Sequence, residues 1–300
     1  MKIAIAGASG FVGSALVRFL LDKGHTVSGM GTSPAHPLQG VPGFTWIRAD
    51  TTLPGAWQAA INDADAVINL AGRTIFKRWS RTYKAKIVNS RVQTTRHIVA
   101  AMSGGPGVLL STSAVGYYGD RGDEPLTEAS TPGTDFLARV AVDWESEARE
   151  AEKAGVRVAI MRFGVVLGRG GGALARMLPG FRSFAGGPVG SGRQWFAWIH
   201  LADLMAAAAF LLHSDGARGA YNFCAPGIVR QKAFARALGG VLGRPAVVPL
   251  PSLPLRVVLG EVAGVLTASQ NAIPRRLLDA GFVFRYGDVH AALADLVGRP

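Results

Sequence analysis

"KIAIAGASGFVG" (residues 2–13) places Gly7, Gly10 and Gly13 where an apolar run gives way to a helical pattern. The run "KIAIA" (2–6) reads as a short buried strand. From about 11 to 23 the apolar positions recur at helical spacing, and Gly24 closes the segment. A glycine-rich turn between strand and helix has a mechanical use: Gly7 permits the tight turn, Gly10 lets the backbone approach a pyrophosphate, and Gly13 allows close helix–strand packing. The phosphates would rest on free N–H groups at the positive end of the helix. The expected contacts from this segment are Gly7, Ser9, Gly10, Phe11, Val12 and Gly13.

Similar units follow. "TVSGM" (26–30), "FTWIR" (44–48), "AVINL" (66–70), "GVLLST" (107–112) and "VRVAIMR" (156–162) read as strands, with helices expected near 54–61, 80–102 and 134–153. The last of these helices is read with Glu145, Glu147 and Arg149 on its exposed face. Continuous apolar strands alternating with helices predict an α/β fold, a doubly wound parallel Rossmann-type sheet covered on both faces. From about 164 the texture becomes glycine-rich and irregular, then proline-punctuated. The expected division is a Rossmann domain over 1–165, to which later segments can return, and a smaller, mostly C-terminal substrate lobe over 166–300.

Composition narrows the class. Apolar residues make up 49% and charged residues 17%, the wrong balance for a disordered chain. The single cysteine, Cys224, rules out a disulfide framework and suits a reducing cytoplasm, and neither Cys nor His shows metal-ligand spacing. The longest apolar runs, such as 204–212, fall far short of the roughly 20 residues of a membrane span. The net charge of +12 comes mostly from scattered arginines, without a recognisable nucleic-acid module. Acid-free stretches between Asp65 and Asp120 and between Glu152 and Asp203 instead suggest either a basic surface or a cleft that draws in anions. The expected partners are a small, anionic substrate, no nucleic acid and no membrane, in a monomer or homodimer.

The glycine spacing and the motifs after it resemble the short-chain dehydrogenase/reductase superfamily, in its extended, sugar-nucleotide-epimerase-like branch. Asp50 in "RADTT" looks like that family's carboxylate beside the adenine. "NLAG" (69–72), with Leu70, Ala71 and Gly72, looks like the strand end along the cofactor. "STSA" (111–114) resembles the strand end with the active-site serine, mapping to Ser113. "MRFGVVLG" (161–168), with Arg162, resembles a further cofactor-side segment. Gly31 stands where NAD-preferring members carry an acid, which leaves Thr32 and Ser33 free to donate to a 2′-phosphate, so NADP is expected over NAD. No arginine is adjacent in sequence, and Arg48 reaches that phosphate only if the fold brings it near.

The superfamily's Tyr-x-x-x-Lys pair sets an ammonium beside a phenol and lowers its pKa. By position the slots fall on Phe136 and Val140 in "DFLARV", and no lysine occurs between Lys86 and Lys153. "STSAVGYYG", "GGALARMLPGF", "GGPVGSGRQWFAWIH" and the tail from "GEVAGVL" onward resemble an atypical epimerase-family subgroup with a small C-terminal domain of unknown function, over essentially the whole chain. The resemblance implies an NADP-dependent oxidoreductase or epimerase. The proton would be handled by Ser113 with Tyr117 or Tyr118, and the substrate held by Arg91, Arg193, Trp195 and His200. Each of these has an ordinary alternative as a packing or surface residue. The loop 168–174 reads as a lid or as a second phosphate cradle. The missing dyad leaves a second class open, a dinucleotide-binding sensor or scaffold without chemistry.

Overall fold

The computed structural model describes residues 1–298. Seven parallel strands form one sheet: β1 (Lys2–Ala6), β2 (Thr26–Gly31), β3 (Phe44–Arg48), β4 (Ala66–Asn69), β5 (Val108–Ala114), β6 (Arg157–Phe163) and β7 (Gly219–Phe223). Their spatial order is β7-β6-β5-β4-β1-β2-β3. The central strands are buried on both faces, the edge strand β3 only in part, and the alternation of side chains divides their residues between two cores. Ile3 and Ile5 pack with α1 (Phe11–Asp22), while Ala4 and Ala6 face a core completed by α2 (Arg81–Ala101) and α3 (Phe136–Arg149). Strand order reverses between β1 and β4, the topological switch point at which a crevice opens beyond the carboxyl ends of the strands.

Two segments beyond residue 165 return to this sheet. Helix α4 (Leu201–His213) packs Leu204, Ala207 and Leu211 onto the α1 face, and β7 extends the sheet beside β6 from Gly219↔Ala159 to Phe223↔Phe163. A cut at 165 therefore does not separate the two units along the chain. The remaining lobe has its own core, in which Phe181, Trp198, Phe234, Leu238 and Leu293 pack between α5 (Gln231–Leu242), α6 (Val289–Val297) and the helix Gly172–Arg182.

Local chemistry sets where the helices start. Asp135 caps α3, its Oδ1 accepting from the backbone N–H groups of Leu137 and Ala138 at 2.8 and 3.0 Å. Ser80 caps α2 through Tyr83 N–H at 3.1 Å. Helix α1 differs: its N-cap is Gly10, with no side-chain cap, so its first N–H groups are left for another acceptor. Among the described residues no helix is long and apolar enough to cross a membrane, and no group of His, Cys, Asp and Glu could hold a metal ion.

Candidate functional site

The crevice at the switch point is a cleft of about 560 Å³ lined by Gly7, Ser9, Gly10, Thr32, Asp50, Leu70, Ala71 and Gly72, with Arg73 and Lys86 on its far wall. Its floor is a close backbone approach. Gly7 has φ +81°, and a Cβ there would lie 2.8 Å from the Leu70 carbonyl carbon. At Gly13 a Cβ would meet the Gly7 carbonyl oxygen at 2.2 Å. Only glycine satisfies both positions, so the turn stays flat and presents the uncapped start of α1 to the cleft. Asn69 shapes the opposite lip. Its buried Oδ1 accepts from Ala71 N–H at 3.1 Å, turning the chain away from β4.

A second cavity, of about 400 Å³, continues from this cleft along β5 and α3. Phe11, Val12 and Gly13 form one side; Leu137, Val140, Ala141 and Trp144, a single face of α3, form the other. Its one charged lining residue is Arg91. That guanidinium donates to the carbonyls of Arg73 and Ile87 at 3.1 and 3.2 Å, stacks 5.2 Å from the Trp144 ring, and has no carboxylate partner among the described residues. Burial pulls its pKa down to about 10, so it remains a cation at neutral pH.

Behind this cavity lies a buried polar cluster. Glu145, 1% exposed, receives Arg162 in a bidentate pair, Nε to Oε1 at 2.8 Å and Nη2 to Oε2 at 2.9 Å. Ser113 Oγ donates to the same Oε1 at 2.7 Å, and Arg149 donates to Oε2 at 3.0 Å. Arg162 Nη1 also donates to the Tyr118 hydroxyl at 2.9 Å, and that hydroxyl donates to Asn222 Oδ1 at 2.7 Å. Burial lowers the Arg162 pKa, but the hydrogen bonds and charge of Glu145 outweigh it and raise the net value. Burial pushes the Tyr118 phenol up to about 12, against the opposing pull of Arg162 and Asn222.

A model of the NAD dependent epimerase/dehydratase family matches residues 3–224, and a model of a domain of unknown function (DUF1731) matches residues 250–296. The chain belongs to the NAD dependent epimerase/dehydratase family. It is 39% identical over 298 residues to the chloroplastic epimerase family protein SDR39U1 homolog of Arabidopsis thaliana, covering 98% of this chain and 86% of the relative. It is 36% identical over 306 residues to the epimerase family protein SDR39U1 of Mus musculus, covering 99% and 100%. The crystal structure of human SDR39U1 (isoform 2) with NADPH superposes with a TM-score of 0.87 at 32% identity over 99% of both chains.

Against the epimerase-family pattern, the site residues sort as follows. Gly7, Ser9, Gly10, Thr32, Asp50, Leu70, Ala71 and Gly72 line the first cleft, and Phe11, Val12, Gly13, Arg91 and Ser113 the second. Ser33 lines neither cavity. Of the two slots assigned to the dyad by position, Val140 lines the second cavity, whereas Phe136 packs against Trp79, with ring centroids 5.2 Å apart. Neither supplies a phenol or an ammonium.

Six other expected site residues lie outside both cavities. Arg162 does not reach the cofactor cleft, since its guanidinium is spent on Glu145 and Tyr118. Tyr118 is fully buried, and Tyr117 lies flat over Arg162, 3.5 Å from ring centroid to guanidinium carbon. Neither tyrosine lines the second cavity. His200 caps α4 through Ala202 N–H at 3.1 Å and stacks on Tyr286 at 3.9 Å, and burial lowers its pKa. Arg193 and Trp195 line neither cavity; Trp195 stacks with Arg230 at 4.1 Å, and Arg230 donates to Asp123 Oδ1 at 2.5 Å.

Glu145, expected on an exposed face, is instead the hub of the cluster. Its hydrogen bond also fixes the polarity of Ser113: the serine proton goes to the carboxylate, leaving only lone pairs for a ligand. Of the basic residues in the two acid-free stretches, Arg73, Lys86 and Arg91 line the cavities, while Arg157 is spent on the carbonyls of Leu211, Leu212 and Ala217. Tyr118→Phe is expected to cost about 1–3 kcal/mol, because Asn222 Oδ1 loses its donor in a buried site. Tyr117→Phe should stay within about 0.5 kcal/mol. Parallel thermal melts of the two variants check this, and equal losses would contradict the assignment.

Proposed function

We propose that the protein binds NADP(H) across the Gly7–Gly13 turn and acts as an oxidoreductase on a small substrate bearing an anionic group. The observation that carries this reading is Arg91, a guanidinium without a carboxylate partner among the described residues, in an otherwise uncharged cavity that opens into the dinucleotide cleft. The fit to a dinucleotide rests on the glycine cradle and the uncapped α1. The NADPH bound by the human relative supports it. The phosphate form is favoured because Gly31 brings no acid, and a Cβ there would meet Ser9 Oγ at 2.9 Å, so a hydroxyl donor occupies the space of a carboxylate side chain.

When bound, the nicotinamide supplies hydride exchange. The chain supplies the rest. The α1 N–H groups receive pyrophosphate, and Ser9 and Thr32 donate toward the adenosine ribose. Leu137, Val140 and Trp144 exclude water from the second cavity, and Arg91 holds negative charge at the substrate oxygen or carboxylate. Tyr118 is fully buried and lines neither cavity, so it is not placed to hand a proton to a substrate there.

With a panel of carboxylate-bearing carbonyl compounds, followed by loss of NADPH fluorescence, Arg91→Gln is expected to lower kcat/KM about 100-fold or more. NADPH affinity should change little, and an unaltered kcat/KM would remove Arg91 from the mechanism. The second reading, a dinucleotide sensor without chemistry, is favoured by Phe136 and Val140, which put neither a phenol nor an ammonium in the dyad slots. It predicts tight NADPH binding with no consumption by any compound of the panel.

A further inference from the structure

We infer that Arg48, on the strand beside β2, is the cationic contact for the 2′-phosphate of NADP(H), a role that rests on the dinucleotide reading above. The segment after β2, Thr32-Ser33-Pro34, carries no base. The sheet supplies one from next door. Strands β2 and β3 are parallel and in register, with Gly31 opposite Arg48, which sets their backbones about 4.8 Å apart.

Side-chain direction follows from the same register. A Cβ on Gly31 would meet both Ser9 Oγ and Trp46 Cη2 at 2.9 Å, so Gly31 and Trp46 share the face turned toward Ser9. Arg48 lies two residues after Trp46 on one strand and projects from that face as well. Gly31, Ser9 and Thr32 line the cleft, and Arg48, outside that lining, stands opposite Gly31 at the carboxyl edge of the sheet.

Arg48 is exposed and makes no ion pair among the described residues. The nearest acid in sequence, Asp50, has its Oδ1 engaged by Thr52 N–H at 3.0 Å and Thr52 Oγ1 at 2.6 Å. A planar guanidinium at the edge of a cleft that carries two neutral hydroxyl donors, Ser9 and Thr32, suits a phosphate dianion and offers nothing specific to a ribose hydroxyl. Preference for the phosphorylated dinucleotide would then come from the neighbouring strand.

The test is equilibrium titration of the full chain with NADPH and with NADH, read by ligand fluorescence, with displacement by 2′,5′-ADP as a second measurement. Arg48→Ala should weaken NADPH and 2′,5′-ADP about 10-fold and leave NADH within about 2-fold. Arg48→Glu should make NADH the better ligand, and Arg48→Lys should keep part of the preference. Raising ionic strength should narrow the wild-type preference and leave Arg48→Ala unmoved. Equal change for both dinucleotides, or none, overturns the role of Arg48. Equal wild-type affinity for NADPH and NADH also overturns it while leaving the dinucleotide site intact; wild-type binding of neither would remove both.

Discussion

Arg162→Ala is expected to lower folding stability by about 3–5 kcal/mol, the largest effect of any single side-chain truncation at this site. The arginine is 2% exposed and bonds both oxygens of a carboxylate that is 1% exposed. Its removal leaves Glu145 with Ser113 and the half-exposed Arg149, and deprives Tyr118 of a charged donor. Desolvation makes an unpaired buried carboxylate costly, whereas replacing both partners by apolar residues of similar size avoids that penalty. The double variant Arg162→Met with Glu145→Leu should therefore lose less than Arg162→Ala alone. Urea midpoints of the two variants and the wild type measure this. A loss below about 1 kcal/mol for Arg162→Ala would show that the ion pair is not the structural hub.

How far the sequence reveals this arrangement depends on how local the determining interactions are. The glycine turn is local: strand, turn and helix are consecutive, so Gly7, Gly10 and Gly13 point to the cleft that the fold contains. Six of the seven strands are legible as short apolar runs, whereas β7, "GAYNF", carries polar Asn222 and lies in a stretch read as the C-terminal lobe. The cluster is harder to see. Arg162 on β6 meets Glu145 on α3 and Tyr118 after β5, and Asn222 comes from β7, 104 residues beyond Tyr118.

Glu145 reads as exposed when grouped with Glu147 and Arg149. Yet residues two apart on a helix lie on nearly opposite sides, while Ala138, Ala141, Glu145 and Ala148 follow the spacing of a buried stripe. That stripe, together with an arginine inside the apolar run "VRVAIMRF", is the signal that pairs them. The tyrosines mislead for a different reason. A hydroxyl at a strand end looks catalytic until the partners that bury it are known, and those partners are distant in sequence.

The second large effect is expected at Gly13. Gly13→Val places a Cβ where the Gly7 carbonyl oxygen stands at 2.2 Å and the Ala8 Cα at 2.8 Å, and both are backbone atoms that cannot rotate away. Helix α1 must withdraw from the turn, which spreads the N–H groups that form the phosphate cradle. Affinity for NADPH is expected to fall at least about 100-fold, equivalent to about 2.7 kcal/mol. Overpacking strain should cost a further 1–3 kcal/mol or so of folding stability. Gly107→Ala, with nothing within 4 Å of the added methyl, serves as the control and should alter neither quantity. Titration calorimetry and thermal melts of the three proteins separate the binding loss from the folding loss. Unchanged affinity in a folded Gly13→Val protein would move the dinucleotide away from this turn.

The most direct measurement is a crystal structure of the protein grown with NADPH. The expected result is a pyrophosphate on the N-terminus of α1 and a nicotinamide opening into the cavity of Arg91, Leu137, Val140 and Trp144, with no tyrosine hydroxyl within hydrogen-bond reach of its reactive face. NADPH bound away from the Gly7–Gly13 turn, or Tyr117 or Tyr118 swung out of the cluster onto the nicotinamide, would contradict the proposed site.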